Sequence, residues 1–212
     1  MSLEEFQCWC QALHLPAETV DLIARRRFSP PARRTQARAL NVSGLFPSHK
    51  MSVTIPFESQ IELGAISLME YDAGVVEFYD QPAPAFKLSY QTRSGGQAAP
   101  FHTPDFFVLR TDQAGWEEWK PEDQLRKRAC KRPFRSQQRD GQWVCPPGAA
   151  SAARFGHTSR VHGKHAGKFH RSHRDFLAFS SDSGRRAQPR ENKGLLLAVD
   201  TIRARETWEA VV

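Results

Sequence analysis

Apolar residues take on a helical rhythm at the very start of the chain. Leu3, Phe6, Cys10 and Leu13 recur every three to four positions, which predicts a helix over 3–14. Pro16 opens a second short helix in which Val20, Ile23 and Phe28 share a side. Arg25, Arg26 and Arg27 close it with positive charge, which suits the negative end of a helix dipole. Residues 29–56, with two prolines, Arg33, Arg34, Arg38 and then NVSGLFPSHKM, read as an extended arm. Periodicity returns in a helix at 57–70, with Ile61, Ala65 and Leu68 on its stripe. Strand-type runs follow at 75–79, 86–90, 104–109 and 116–120, with RSGGQAAP as a turn-rich connection and DQAG as a hairpin turn. EDQLRKRACK then predicts a basic helix at 122–131. This order describes an α/β domain with a mixed central sheet flanked by helices.

The pattern weakens further on. Residues 135–148 read as a small hairpin closed by prolines. Beyond Arg160 the chain is rich in His, Arg, Lys and Ser, residues 180–194 read as disordered, and 195–209 as a last amphipathic helix. The expected organisation is a helical, basic N-terminal arm (1–50), a central domain (51–160) and a basic, partly disordered C-terminal tail (161–212). His157, His162, His165, His170 and His173 match no metal-finger spacing and are assigned to a solvated tail.

Composition and charge sharpen this. Of 212 residues, 40% are hydrophobic and 25% charged, enough apolar material for a packed core. No run approaches the roughly 18 apolar residues of a membrane span, and MSLEEFQCWC lacks the layout of a secretory signal. A cytoplasmic protein without a membrane partner is expected. The four cysteines form no CxxC pair and read as reduced thiols, with Cys8 and Cys10 in the core. The net charge of +7 is unevenly spread: +3 over 1–50, −6 over 51–120, +11 over 121–190 and −1 thereafter. Basic flanks around an acidic middle suit a polyanion brought to carboxylates through a bridging cation.

The acidic middle holds HTPDFFVLRTDQAGWEEWK at 102–120. Side chains alternate along a strand, so Glu118 and Lys120 share one face and Trp119 takes the other. If the two strands pair through the short turn, Asp105 comes beside Glu118. Two adjacent carboxylates repel each other unless a cation or a shared proton joins them. Mg²⁺ suits such a site, since it takes hard oxygen ligands and tolerates few protein carboxylates beside a phosphate; Mn²⁺ is the expected substitute. Lys120 could orient or deprotonate water, or neutralise developing charge. Trp116 and Trp119 are expected to anchor the strand on its buried side. Each residue alone has a plainer reading, Asp105 as a turn residue after Pro104, and Glu118 with Lys120 as a solvated strand face. The joint pattern favours the nuclease chemistry. A third acid is expected from the preceding helix, where Glu62 lies next to the apolar stripe and is the expected metal ligand, with Glu58 as a cap. His102 could touch a phosphate or simply enter the strand. Expected DNA contacts are Arg25, Arg26, Arg27, Arg33, Arg34, Lys127, Lys131 and Arg132.

PAR at 31–33, NVSGLFPSHKM at 41–51, FESQIE at 57–62, MEYDAGVVEFYDQP at 69–82, HTPDFFVL at 102–109 and GWEEWK at 115–120 resemble the TnsA-like endonuclease subunits of heteromeric bacterial transposases, within the PD-(D/E)xK superfamily. GQWVCPPG at 141–148 and FGHTSRV at 155–161 add to the likeness, which covers about 30–160. The resemblance implies a restriction-endonuclease-like fold. It also implies cleavage at transposon ends on the non-transferred strand, the one that the partner transposase does not cut. It puts the metal-binding acids on Glu62, Asp105 and Glu118, the lysine on Lys120, and Gln81 near the site. The implied partners are double-stranded transposon-end DNA, a DDE-type transposase and an AAA+ ATPase regulator. The histidine-rich stretch from His162 departs from the apolar pattern of the family. A stand-alone restriction or repair nuclease, and a non-catalytic DNA-binding assembly subunit, are the alternative functions.

Overall fold

The structure is a computed structural model that describes residues 1–29, 42–83 and 85–164. Arg33, Arg34, the expected helix at 195–209 and most of the expected tail lie outside the described residues. The elements run α1 (Leu3–Ala12), α2 (Ala17–Phe28), β1 (Gly44–Ser48), β2 (Val53–Phe57), α3 (Gln60–Tyr71), β3 (Val75–Asp80), β4 (Phe86–Lys87), β5 (Tyr90–Gln91), β6 (Gln97–Ala98), β7 (Phe101–His102), β8 (Phe106–Arg110), β9 (Ala114–Pro121), α4 (Glu122–Lys131), β10 (Gln137–Arg139), β11 (Gln142–Val144), α5 (Pro146–Ala153) and β12 (Thr158–Lys164). Among the described residues six strands form one mixed sheet in the order β10-β11-β12-β9-β8-β3, in which β12 and β9 run parallel and the other neighbours antiparallel.

Both faces of the sheet are covered, because β8 and β9 are apolar on both sides. On one face Ala65, Ile66 and Met69 of α3 pack against Phe78, Phe106, Val108 and Trp119. On the other, Phe6 and Cys10 of α1 and Ile23 of α2 pack against Phe107, Leu109, Ala114 and Trp116. Trp116 and Trp119 thus anchor β9 from opposite faces. The α3 stripe is rotated from the expected one, since Leu68 is exposed while Ile66 and Met69 face inward. Of the two cysteines expected in the core, Cys8 is exposed and Cys10 is buried.

The described residues among 1–50 pack onto the sheet. A capping box of Ser2 and Glu5 starts α1, and Trp9 donates from Nε1 to the carbonyl of Arg110 at 2.8 Å. α1 and α2 form a layer of the domain. The segment expected to be extended contains the β1–β2 hairpin, whose turn is held by Glu70 at the end of α3. Its carboxylate accepts from Ser48 Oγ (2.6 Å) and from the backbone N–H groups of His49 (2.8 Å) and Lys50 (2.9 Å). Lys50 Nζ in turn donates to the carbonyls of Met69 and Asp72 at the C-terminal end of that helix and of Val75 at the start of β3.

His157 and His162, assigned to a solvated tail, sit instead just before and within the sheet strand β12. β12 lies between β9 and β11, His162 stacks on Trp119 with ring centroids 4.0 Å apart, and His157 is buried. Burial, reinforced by the charge of Arg26, pushes the His157 imidazole down from 6.5 to about 4. Between those pH values the unfolded chain takes up a proton that the folded chain refuses. This contribution is complete above pH ~6.5 and is lost as pH falls toward ~4, by roughly 3 kcal/mol. Urea denaturation at pH 7 and pH 5 checks this: His157→Leu should lose less stability between the two than the wild type, and equal losses would exclude the assignment.

Candidate active site

Strand pairing builds the site. Phe106 faces Glu117 across the β8–β9 ladder, so Asp105, just before β8, lies one rung beyond, beside Glu118. Asp105 is fixed from several directions. Its Oδ2 accepts from the Trp119 backbone N–H at 2.8 Å, and its carbonyl accepts from the N–H of Gln81 at 2.8 Å. Gln81 itself adopts a left-handed backbone (φ 40°), uncommon for a residue with a side chain, so the loop after β3 is shaped around this contact. Lys120 Nζ donates to both Asp105 oxygens, at 2.9 and 2.8 Å, and lies 3.8 Å from Glu118 Oε1.

Two side chains that the sequence pattern did not assign to the centre complete it. Arg128 of α4 donates from Nη1 to Glu118 Oε1 at 2.8 Å, and His102 Nε2 lies 3.5 Å from Glu118 Oε2. Burial alone would raise the Glu118 carboxyl. The His102 contact and the charges of Lys120, His102 and Arg128 outweigh it and hold the group far below the usual carboxylate range. Asp105, Glu118 and Lys120 open into a cleft of about 310 Å³ that His102, Arg128 and Arg135 also line.

Glu62, in the first turn of α3, is near enough to the pair to feel the charges of Asp105 and Lys120. Its side chain accepts from the backbone N–H of Glu58 at 2.7 Å, and its own N–H donates to Ser59 Oγ at 3.1 Å. It therefore does the capping work that Glu58 was expected to do. Burial raises the Glu62 carboxyl, the Glu58 N–H lowers it, and the charges of Asp105 and Lys120 act on it in opposite directions. Glu62 thus belongs to the electrostatic surroundings of the centre.

The donor chemistry bears on the expected metal. Among the described residues no three His, Cys, Asp or Glu side chains converge on one point. Asp105 and Glu118 offer hard oxygen donors on an open cleft, which fits an ion that keeps several waters and uses few protein carboxylates. The Lys120 ammonium between them marks where these carboxylates attract positive charge.

Two of the expected DNA contacts are corrected. Arg26 is buried, its guanidinium 5.1 Å from the Phe107 ring and 5.3 Å from the Trp116 ring. Arg27 forms a two-pronged pair with Glu77 (2.8 and 2.9 Å) and donates to the Met1 carbonyl at 2.8 Å. A buried carboxylate claims Arg27, and aromatic rings claim Arg26, so neither is free for a phosphate. Arg25, Lys127, Lys131 and Arg132 are exposed.

A mixed sheet covered on both faces, with an aspartate entering one strand beside Glu-x-Lys on the next, has the restriction-endonuclease-like architecture of PD-(D/E)xK nucleases. Residues 72–144, the segment that carries Asp105, Glu118 and Lys120, match the family model described as TnsA-like endonuclease N terminal. Glu62 precedes the matched residues. No curated protein matches the chain. No helix among the described residues is long and apolar enough to cross a membrane.

Proposed function

We propose that this chain is a Mg²⁺-dependent DNA endonuclease that cuts at transposon ends, on the non-transferred strand, as one subunit of a heteromeric transposase. The observation that carries this reading is the pairing of Asp105 with Glu118 on neighbouring strands, with Lys120 donating to the one and lying beside the other in an open cleft. Asp105 and Glu118 would hold the ion, with Mn²⁺ as a substitute and Glu62 as the third acid. Bound there, Mg²⁺ supplies Lewis acidity toward the scissile phosphate.

The chain's own groups do the rest. Lys120 is placed to orient water and to neutralise charge that develops on the phosphate. Arg128 and His102 hold the Glu118 carboxylate ionised and fixed. Arg135 adds positive charge to the cleft wall, and Arg25, Lys127, Lys131 and Arg132 position the duplex through its phosphates without reading bases. Choice of site then falls to partners, a DDE-type transposase and an AAA+ ATPase regulator.

The test is a nicking assay on transposon-end duplex with the full chain, with and without the partner transposase, in Mg²⁺ or in chelator. Cleavage is expected only with Mg²⁺ and the partner, and Lys120→Ala should lower it about a hundredfold or more. Cleavage by the chain alone would mark a stand-alone nuclease. Transposition that proceeds undiminished with Lys120→Ala would mark a non-catalytic assembly subunit.

A further inference from the structure

Beside the cleft lies a larger groove, of about 690 Å³. One wall is the β5–β6 hairpin with Tyr90 and Arg93, and the other is the end of α4 and the turn after it, with Lys131, Arg132 and Phe134. The groove is lined by three cations and no carboxylate. Phe134 is 44% exposed and stands beside these cations on the groove wall. The groove and the cleft share their walls. Pro100 faces the groove and Phe101 the cleft, while α4 sends Arg128 to the cleft and Lys131 to the groove.

We propose that this groove binds an unpaired stretch of the DNA strand that passes through the cleft, with a base against Phe134 or Tyr90 and its phosphates on Arg93, Lys131 and Arg132. The mix of groups decides between double and single strands. A closed duplex shows phosphates to such a surface and hides the faces of its bases, so cations alone would serve it. Aromatic rings interleaved with cations suit a strand whose bases are free to stack. The nuclease is thereby assigned a substrate whose end is frayed or tailed next to the cut. The proposal rests on the nuclease reading for the source of the strand and for nothing else.

The experiment is binding of the full chain, in chelator so that nothing is cut, to a blunt labelled duplex and to the same duplex with a five-nucleotide single-stranded tail at either end. The tail on one end should tighten binding about tenfold, within the range that one stacked base supplies. A 2-aminopurine in that tail should be quenched on binding. Phe134→Ala should remove both effects and leave blunt-duplex affinity unchanged, while Phe134→Trp should keep them. Arg93→Ala should weaken binding of the tailed DNA and reduce its salt dependence while sparing the blunt duplex, whereas Arg132→Ala, a duplex contact as well, should weaken both. Equal affinity of the wild type for blunt and tailed DNA would overturn the proposal. So would a Phe134→Ala protein that keeps the preference for tailed DNA, including one that loses only its association with the transposase. Absence of cleavage in Mg²⁺ with the tail preference intact would sink the nuclease reading and leave the groove assignment standing.

Discussion

Asp105→Asn is expected to cut metal-dependent strand cleavage by on the order of a thousandfold while leaving the fold in place. The amide keeps the shape of the carboxylate and one oxygen to accept the Trp119 N–H, the bond that fixes this side chain to β9. It loses the charge that would help to hold a divalent ion. A thousandfold corresponds to about 4 kcal/mol of transition-state stabilisation. The cost to stability is much smaller. Lys120 loses its closest partner, but it is partly open to solvent and still has Glu118 at 3.8 Å, so the change should be about 1 kcal/mol. Asn is the informative replacement, since Ala would also strip the Trp119 N–H of its acceptor. Two measurements separate chemistry from folding. Nicking of transposon-end DNA with the partner transposase present should fall by the factor given. In thermal unfolding, added Mg²⁺ should raise the wild-type midpoint and leave that of Asp105→Asn nearly still, because a ligand stabilises only a fold that binds it. Cleavage within tenfold of wild type would remove Asp105 from the centre.

The central triplet was legible because it needs only local rules. Strand alternation puts Glu118 and Lys120 on one face, and a short hairpin brings Asp105 level with them. Arg128 was hidden for the opposite reason. Its role depends on how α4 folds back over β9, and on that helix it looks like one basic residue among several. Arg26 and Arg27 show the same blindness from the other side. Three arginines at a helix end satisfy the dipole and suggest phosphate contacts, and nothing local reveals that Glu77, fifty residues on, is buried and awaits one of them. β12 escaped notice because its apolar surroundings come from its neighbours: Trp119 covers His162, and Trp143 of β11 lies across from Val161. The capping role passed from Glu58 to Glu62 because the helix begins at Gln60, three residues later than the periodicity suggested, which makes Ser59 the cap and Glu62 the third residue of the first turn.

Gly115→Ala should be the most damaging small substitution in the β9 strand. Gly115 pairs with Thr158 across the parallel β9–β12 ladder, and there the two backbones come very close. A Cβ added at Gly115 would meet the Thr158 side-chain oxygen at 2.2 Å and its carbonyl oxygen at 2.5 Å. The hydroxyl could rotate away, but the carbonyl is part of the ladder, so β12 would have to move. The expected loss is about 3 kcal/mol or more, a sizeable part of a stability of some 5–15 kcal/mol. At this chain length it should lower the melting midpoint by roughly 10 °C. Pairing the change with Thr158→Ala tests the cause. Removing the hydroxyl relieves only the side-chain clash, so the double variant should regain part of the loss and no more. Complete rescue would mean that the backbones are not in contact. Activity should suffer beyond stability, because β9 carries Glu118 and Lys120 three and five residues on, and a misplacement of about 1 Å costs on the order of a hundredfold in rate. The glycine therefore matters to the chemistry although it touches none of the reacting groups: it lets β12 brace the strand that holds the glutamate and the lysine in line with Asp105.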